Sequence, residues 1–160
     1  MSLARAQKTA TVKRISSMEL PKKGWTALGR RYAFDRLMAM GLPARRDEYW
    51  KYTRPDTLMS ADTPQAAVQE DSESPIFDAL GCHKLVFLDG VYSEALSDGL
   101  SGDGMTLELL SSTSDVDIHW AKGLYGSLER KGQNPVARPL AAFNSAFAQE
   151  GILLHVKKTP

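Results

Sequence analysis

The chain is organised around one stretch, Gly41-Leu42-Pro43-Ala44-Arg45-Arg46-Asp47-Glu48-Tyr49-Trp50-Lys51-Tyr52-Thr53. This stretch holds four charged residues in a row and three aromatic residues within four positions, which is typical of neither a loop nor an amphipathic stripe. Gly41 and Pro43 predict the end of a preceding helix, because glycine tolerates a left-handed cap and proline cannot continue the helical hydrogen bonds. A short helix can then begin near Ala44.

Residues 45–53, which we call the clasp, combine charge with aromatic rings. Arg46 and Trp50 stand four residues apart, a spacing that lets a guanidinium lie over an indole on a helix. Because aromatic clusters are usually packing, we interpret the clasp as a structural element in which Trp50 and Tyr52 fill a core and the charges face water. The alternative is an exposed binding epitope.

Composition places the chain among ordinary soluble domains. Of its 160 residues 42% are hydrophobic and 24% are charged, and the formal net charge is +1. That length suits one domain, and so small a net charge gives no global field to attract nucleic acid or membrane. The single cysteine excludes an internal disulfide and fits a reducing compartment. No apolar run approaches the ~20 residues of a membrane helix, so we expect a cytoplasmic protein.

Charge is nevertheless segregated along the chain. Residues 1–31 carry eight Lys and Arg against one acid, Glu19, whereas residues 55–118 carry thirteen acids against one base, Lys84. Oppositely charged segments can lie against each other or face different partners, and the sequence alone leaves both open.

Composition and charge divide the chain into three regions. Residues 1–20 are a basic arm or loose helix, and a transit peptide, which would make the protein organellar, is the alternative. Residues 21–160 form the main domain. Near residues 59–75, Ala, Ser, Asp, Glu, Gln and Pro dominate, so we expect a flexible acidic linker there.

Apolar spacing predicts a helix over residues 25–40. Its apolar face is formed by Trp25, Leu28, Tyr32, Phe34, Leu37 and Met38. We expect three arginines to lie largely outside that face: Arg30, Arg31 and Arg36. An aromatic stripe at this spacing is typical of a core.

The clearest β signal lies in residues 84–93. Four apolar residues precede Asp89-Gly90, a pair that favours the positive φ angles of a type I′ hairpin turn. In residues 105–109 apolar and polar positions alternate, which predicts a half-buried strand.

The last third of the chain predicts two helices and a strand. Asp117 can cap the first helix, in which Trp120, Leu124 and Leu128 share one face, and Gly132 ends it. Pro139 opens the second helix, and Gly151 caps it. The second helix has an apolar side formed by Leu140, Phe143 and Phe147.

Residues 152–156 are almost wholly apolar, as expected of a strand with neighbours on both faces. Within the chain, such a strand finds partners only in the sheet of residues 85–88 and 105–109. We therefore expect it to dock on that sheet or to self-associate.

Three blocks resemble the N-terminal region of the SufB/SufD family, and of its SufD members in particular. The first is Gly41-Leu42-Pro43 with Arg45-Arg46-Asp47-Glu48 and Trp50-Lys51-Tyr52-Thr53, the second is Leu85-Val86-Phe87-Leu88-Asp89-Gly90-Val91-Tyr92-Ser93, and the third is residues 142–156. Two departures are visible: Phe143 stands in place of the usual leucine, and Lys157-Lys158 where the family often has Pro-Lys.

The resemblance covers residues 20–156 and implies a scaffold role in iron–sulfur cluster assembly by the SUF system, together with SufB and SufC. It also implies that the fold ends at the threshold of a right-handed parallel β-helix that is missing from this chain. The full family complex handles clusters, but its cluster-associated cysteines and histidines, and its contacts with SufC, lie in later parts of the family. We therefore expect no cofactor here. The positions that match are structural: Arg45, Arg46, Asp47, Glu48, Trp50, Lys51, Tyr52, Asp89, Gly90, Asn144 and Gly151.

Residue spacing reveals no catalytic or metal-ligating constellation. Cys82 and His83 are adjacent, His119 and His155 are distant in sequence, and neither Cys-x-x-Cys nor His-x-x-x-His occurs. A phosphate-binding glycine loop is also lacking, because Gly99, Gly102 and Gly104 lie in a Ser- and Asp-rich turn that would repel phosphate. The basic N-terminal region has no aromatic residues interleaved for base stacking.

We therefore predict an α+β fold with N-terminal helices and a small antiparallel hairpin sheet. The predicted function is that of a non-enzymatic SufD-like scaffold with SufB and SufC homologues as partners and without nucleic acid or membrane. One alternative is a stand-alone protein-interaction module that lacks the β-helix. The other is a small thiol- or metal-dependent enzyme that uses Cys82.

Overall fold

The computed structural model describes residues 3–43, 50, 52–53, 55–60, 77–102 and 104–157. The helices are α1 (Leu3–Ile15), α2 (Ala27–Met40), α3 (Asp56–Met59), α4 (Leu110–Thr113), α5 (Ser127–Gly132) and α6 (Pro139–Phe147). The strands are β1 (Phe87–Leu88), β2 (Val91–Tyr92), β3 (Ser101–Gly102), β4 (Met105–Leu109) and β5 (Ile152–Val156). Single 3-10 turns lie at Asp78–Leu80, Glu94–Leu96 and Trp120–Gly123. Helices with small antiparallel sheets make the fold α+β, as predicted.

The chain divides into two compact units. The helical unit takes its residues from 1–64 and 114–148, and the sheet unit takes its residues from 65–113 and 149–160.

Helices α2 and α6 pack against each other and form the core of the helical unit. Its buried apolar residues are Ala33, Leu37, Leu42, Ala142, Ala146 and Phe147. Half of them are alanines, which leave little side chain between the two helix axes and so let the backbones approach closely. Larger, partly buried side chains pack around this cluster: Ile15, Met18, Leu20, Phe34, Met40, Leu140 and Phe143.

The apolar face predicted for α2 is only partly correct. The helix occupies most of the predicted range, and Trp25 just before it is buried. Leu28 and Tyr32, however, are 58% and 51% exposed, and Arg30, predicted to lie outside the core, is only 2% exposed. The buried residues of α2 are Arg30, Ala33 and Leu37. The reason is that α6 approaches along the alanine side of α2, where the Arg30 guanidinium also finds its hydrogen-bond acceptors.

Helix α1 is held to the helical unit by a buried threonine. The Oγ1 atom of Thr11 accepts a hydrogen bond from the backbone N–H of Leu42 at 2.8 Å. Ile15 packs against the core, whereas Val12 is half exposed. This bond ties α1 to the turn that follows α2.

The helix predicted after Asp117 is wrong in its extent. Residues Trp120–Gly123 form a 3-10 turn, and α5 begins only at Ser127. Between them Gly126 has φ +69°, a left-handed conformation that interrupts a right-handed helix. The end of α5 at Gly132 agrees with the prediction.

The predicted cap and apolar face of that helix are also wrong. The Nδ1 atom of His119, and not Asp117, accepts a hydrogen bond from the Ala121 N–H, at 3.2 Å. The buried residue of the turn is Ala121. The side chains predicted to share the buried face are exposed: Trp120, Leu124 and Leu128. Because Gly126 interrupts the helix, the four-residue spacing places these side chains on no common buried side.

Helix α6 begins at Pro139, as predicted, but Gly151 does not cap it. The cap residue is Ala148, whose N–H donates to the Asn144 carbonyl at 2.8 Å. Gly151 lies three residues further on, and its carbonyl accepts a hydrogen bond from the Leu110 N–H at 2.9 Å. The helix therefore ends before the glycine that sequence analysis took for its cap.

The hairpin is confirmed, including its turn. Strands β1 and β2 pair antiparallel, and Asp89 and Gly90 have φ angles of 49° and 82°. Positive φ at both central residues is the requirement of a type I′ turn.

The second sheet has three strands in the order β3-β4-β5. Strand β5 pairs antiparallel with β4 over their full lengths, from Met105 opposite Val156 to Leu109 opposite Ile152. The strand therefore docks on residues 105–109, which is the first of the two outcomes expected for residues 152–156. The expectation that residues 85–88 belong to the same sheet is wrong, because the hairpin forms a separate two-stranded sheet. Strand β3 was not predicted, because Ser101 and Gly102 carry no apolar alternation.

Candidate functional site

The clasp lies mostly outside the described residues. Arg45, Arg46, Asp47, Glu48 and Lys51 are among the positions that the structure does not describe. Trp50 is partly buried. Tyr52 is 91% exposed, so the prediction that it fills a core is wrong. Its neighbour Thr53 donates from its N–H to the Trp50 carbonyl at 3.1 Å, which closes a turn and leaves the Tyr52 ring in solvent.

The other predicted structural positions are distributed over both units. Asp89 and Gly90 form the exposed turn of the hairpin. Asn144 has an exposed side chain on α6, and Gly151 precedes β5. The structure does not bring these positions together into one site.

The described cysteine and histidine residues likewise belong to no metal-binding group. Cys82 is exposed, the Nε2 atom of His83 lies 2.6 Å from the Gly99 carbonyl oxygen, and His155 is opposite Thr106 in the β4–β5 ladder. Within the part of the chain that the structure describes, no three His, Cys, Asp or Glu residues form a group that could hold a metal ion.

The most constrained polar side chain is Arg30, which lies buried in the helical unit. Its Nε donates to Thr26 Oγ1 at 2.9 Å. One terminal nitrogen donates to the Ala146 carbonyl at 3.2 Å and to the Ala148 carbonyl at 2.6 Å, at the C-terminal end of α6. A cation is favourable there, because the last carbonyls of a helix carry partial negative charge. The guanidinium also lies over the Tyr125 ring, 5.4 Å from its centre.

Burial changes the acid–base properties of both partners. Desolvation lowers the pKa of Arg30 from its ordinary value, while the nearby Tyr125 opposes that change. Burial also raises the pKa of Tyr125 above 10.0, and the charge of Arg30 partly offsets the rise. The Tyr125 hydroxyl donates to the Ser145 carbonyl at 2.8 Å. Arg30 therefore holds the C-terminal end of α6 to α2, and Tyr125 bonds the same end of α6 through the Ser145 carbonyl.

A cavity of about 160 Å³ opens beside this cluster, between α2 and residues 122–130. Buried Trp25 lines its inner side, stacked on His119 with ring centres 4.5 Å apart. Gly29 brings the helix against Tyr125, since a Cβ at that position would lie 2.9 Å from Tyr125 Cδ1. The more exposed side chains around the opening are Leu28, Tyr32, Lys122 and Arg130.

Arg36 also lines this cavity, but its charge is balanced. Its guanidinium forms a two-pronged salt bridge with Glu129, whose side chain is nearly buried. The amide of Gln133 donates to the same carboxylate at 2.5 Å. These bonds fix α5 against α2 and leave Lys122 and Arg130 as the free cations among the described residues around the opening.

Sequence reasoning missed both Arg30 and the cavity. Arg30, Ala33 and Leu37 do recur at i, i+3 and i+7, but an arginine within that pattern is ordinarily assigned to the surface. The available signal was the alanine-rich spacing on α6, which predicts a close helix contact.

No helix within the described ranges is long and apolar enough to cross a bilayer.

Comparison with known proteins places this geometry in a family. Residues 15–159 match the family model described as the SufBD protein N-terminal region. The chain belongs to this family. The matched range includes α2, the hairpin, the three-stranded sheet and α6, so the fold described above is that of a SufBD N-terminal region.

One relative of known role is the iron-sulfur cluster assembly protein SufD of Escherichia coli (strain K12). It is 30% identical to this chain over 118 residues, an alignment that covers 65% of the chain. The match takes in only 28% of that relative, so the chain spans a minor part of the protein it resembles.

Proposed function

We propose that the chain is the N-terminal part of a SufD-like scaffold protein that acts in iron–sulfur cluster assembly by the SUF system, in complex with SufB and SufC homologues in the cytoplasm. The observation that carries this proposal is the family match over residues 15–159. The similarity to SufD, a protein named for its role in iron–sulfur cluster assembly, supports the same proposal.

The geometry favours a structural role over a catalytic one. Buried Arg30 donates to the Thr26 hydroxyl and to the carbonyls of Ala146 and Ala148. Hydrogen bonds from a buried side chain to groups of its own fold contribute to rigidity. The exposed Cys82 belongs to no group of three or more described His, Cys, Asp or Glu residues that could hold a metal ion. A scaffold whose partners supply the chemistry fits this arrangement.

A genetic experiment tests the cellular role. Deleting the gene in the organism of origin should lower the activity of iron–sulfur enzymes under iron limitation, and the wild-type gene should restore it. The Arg31→Met variant should restore it equally, since the Arg31 side chain is largely exposed and its surface pair with Asp35 contributes little to stability. Unchanged iron–sulfur enzyme activity in the deletion strain would contradict the proposal.

A further inference from the structure

The cavity beside α2 has an apolar side that the fold of the helical unit leaves uncovered. Leu28 and Tyr32 are 58% and 51% exposed, although they lie on the helix that forms the core. Together with buried Trp25 they give the cavity an aromatic and aliphatic lining. We call this cavity and the side chains around its opening the basic groove.

The opening of the basic groove carries positive charge. Lys122 and Arg130 both line it and are exposed, and their side chains form no hydrogen bond or ion pair with any described residue. None of the described residues that line it is acidic. Glu129, adjacent in sequence, is already bound to Arg36, so its carboxylate does not neutralise the other two cations. The groove is therefore complementary to a ligand that has an apolar group beside negative charge.

The size of the cavity selects among such ligands. A volume of about 160 Å³ is close to the ~150 Å³ that accommodates a benzene ring in a protein interior. It falls well below the ~300–1,000 Å³ of pockets that enclose a whole cofactor or drug-sized molecule. One aromatic or large aliphatic side chain fits it, and the rest of the ligand must lie on the surface.

We propose that the basic groove binds an acidic peptide segment of a partner protein. One aromatic or large aliphatic side chain of the segment enters the cavity beside Trp25 and Tyr32, and its flanking carboxylates lie at Lys122 and Arg130. An anchor in a pocket surrounded by complementary charge is a common arrangement at protein interfaces. This inference rests on the helical unit alone and does not depend on the proposed function.

The test uses the full chain and a short fluorescein-labelled peptide with a central phenylalanine flanked by glutamates. Fluorescence anisotropy should give saturable binding that weakens as salt is added, because exposed charge pairs are screened. Replacing the phenylalanine of the peptide by alanine, or its glutamates by lysines, should abolish binding. The first of these peptides tests the contribution of the aromatic side chain to the affinity, and the second tests the contribution of the negative charges.

Variants of the chain give the matched controls. Arg130→Glu should weaken binding by about tenfold or more, because an attraction becomes a repulsion, and Tyr32→Ala should weaken it by a similar factor. Lys131→Glu makes the same charge change one residue away on α5, outside the lining of the groove, and should change the affinity by less than about twofold. All three side chains are exposed, so circular dichroism should show unchanged folding.

Several results would overturn the proposal. Absence of saturable peptide binding would do so. Equal losses of peptide affinity in Arg130→Glu and Lys131→Glu would also do so, because they would indicate nonspecific electrostatic attraction. Dimerisation of the chain that Arg130→Glu abolishes would assign the groove to a second copy. A gain in peptide affinity when Glu70, Asp71 and Glu73 are replaced by their amides would assign it to the chain's own acidic segment.

Discussion

At the scale of single residues, the helical unit depends on a buried cation. Arg30 joins the N-terminal part of α2 to the C-terminal end of α6, because its guanidinium is the donor for Thr26, Ala146 and Ala148. The side chain is buried, so water cannot replace these bonds if they are removed. A lost donor therefore leaves buried acceptors without partners, which costs more than the bonds themselves contribute.

We predict that Arg30→Met lowers the free energy of unfolding by about 1–3 kcal/mol, since methionine keeps part of the packing and leaves the carbonyls unbonded. Arg31→Met removes the same charge at an exposed site and should cost less than about 0.5 kcal/mol. Urea unfolding of both variants gives the measurement. An Arg30→Met protein as stable as wild type would show that the buried charge costs as much as its bonds contribute.

A second prediction at this scale concerns pH. Burial raises the pKa of Tyr125 above 10.0, so the folded state holds the phenolic proton more tightly than the unfolded chain does. The resulting stability is fully present below pH 10.0 and is lost as the pH rises through the folded pKa. Tyr125→Phe removes this dependence and, at neutral pH, costs about 1 kcal/mol for the lost bond to Ser145.

The stability difference between wild type and Tyr125→Phe should therefore narrow as the pH increases from about 8 to about 11. Urea unfolding at each pH measures it, and taking the difference cancels the titration of groups common to both proteins. A difference that stays constant or widens with pH would contradict the assigned pKa direction.

Residue patterns predicted which segments form the core better than they predicted which side chains enter it. Spacing located α2, but it grouped Leu28 and Tyr32 with the core and placed Arg30 outside. Periodicity records only whether a residue is apolar. It cannot register that Arg30 finds three acceptors on its own unit, because two of them lie at the C-terminal end of α6, more than one hundred residues away.

At the scale of elements, local turn chemistry was the most reliable guide. Asp89-Gly90 predicted the hairpin correctly because its positive φ angles are a property of those two residues. The helix predicted after Asp117 is not continuous, because Gly126 adopts a left-handed conformation that breaks it. The cap expected at Gly151 failed because α6 ends through its own Ala148-to-Asn144 bond. Where an element ends depends on contacts that a single sequence does not display.

The contact between α2 and α6 gives a prediction at this scale. Ala146 is fully buried among alanines, so Ala146→Leu should force the helices apart and cost about 1–3 kcal/mol or more. Asn144→Leu inserts a leucine on the exposed side of the same helix and should change stability by less than about 0.5 kcal/mol. Thermal unfolding followed by circular dichroism distinguishes them. Equal effects would mean that the α2–α6 contact is looser than described.

At the scale of the whole molecule, the chain combines a helical unit and a sheet unit within one family domain. The resemblance of three sequence blocks was sufficient to predict the family and the α+β class. It could not predict the basic groove, because Leu28, Tyr32, Lys122 and Arg130 come from segments that only the fold brings together.

Within the described part of the chain no group of three or more potential metal ligands includes Cys82, His83, His119 or His155, which leads to a prediction about clusters. Anaerobic incubation of the purified chain with iron and sulfide should give no stable cluster absorbance, since cluster ligands must converge on one site. Cys82→Ser serves as the control and should give the same spectrum as wild type. A stable cluster that this substitution abolishes would show that the chain binds a cluster itself.

The central claim is that the chain acts in a complex with SufB and SufC homologues. Native mass spectrometry of the three proteins, co-expressed from the organism of origin and purified through a tag on this protein, tests it most directly. We predict one species whose mass accounts for all three components. If this protein is instead recovered alone while SufB and SufC form their own complex in the same preparation, the claim is contradicted.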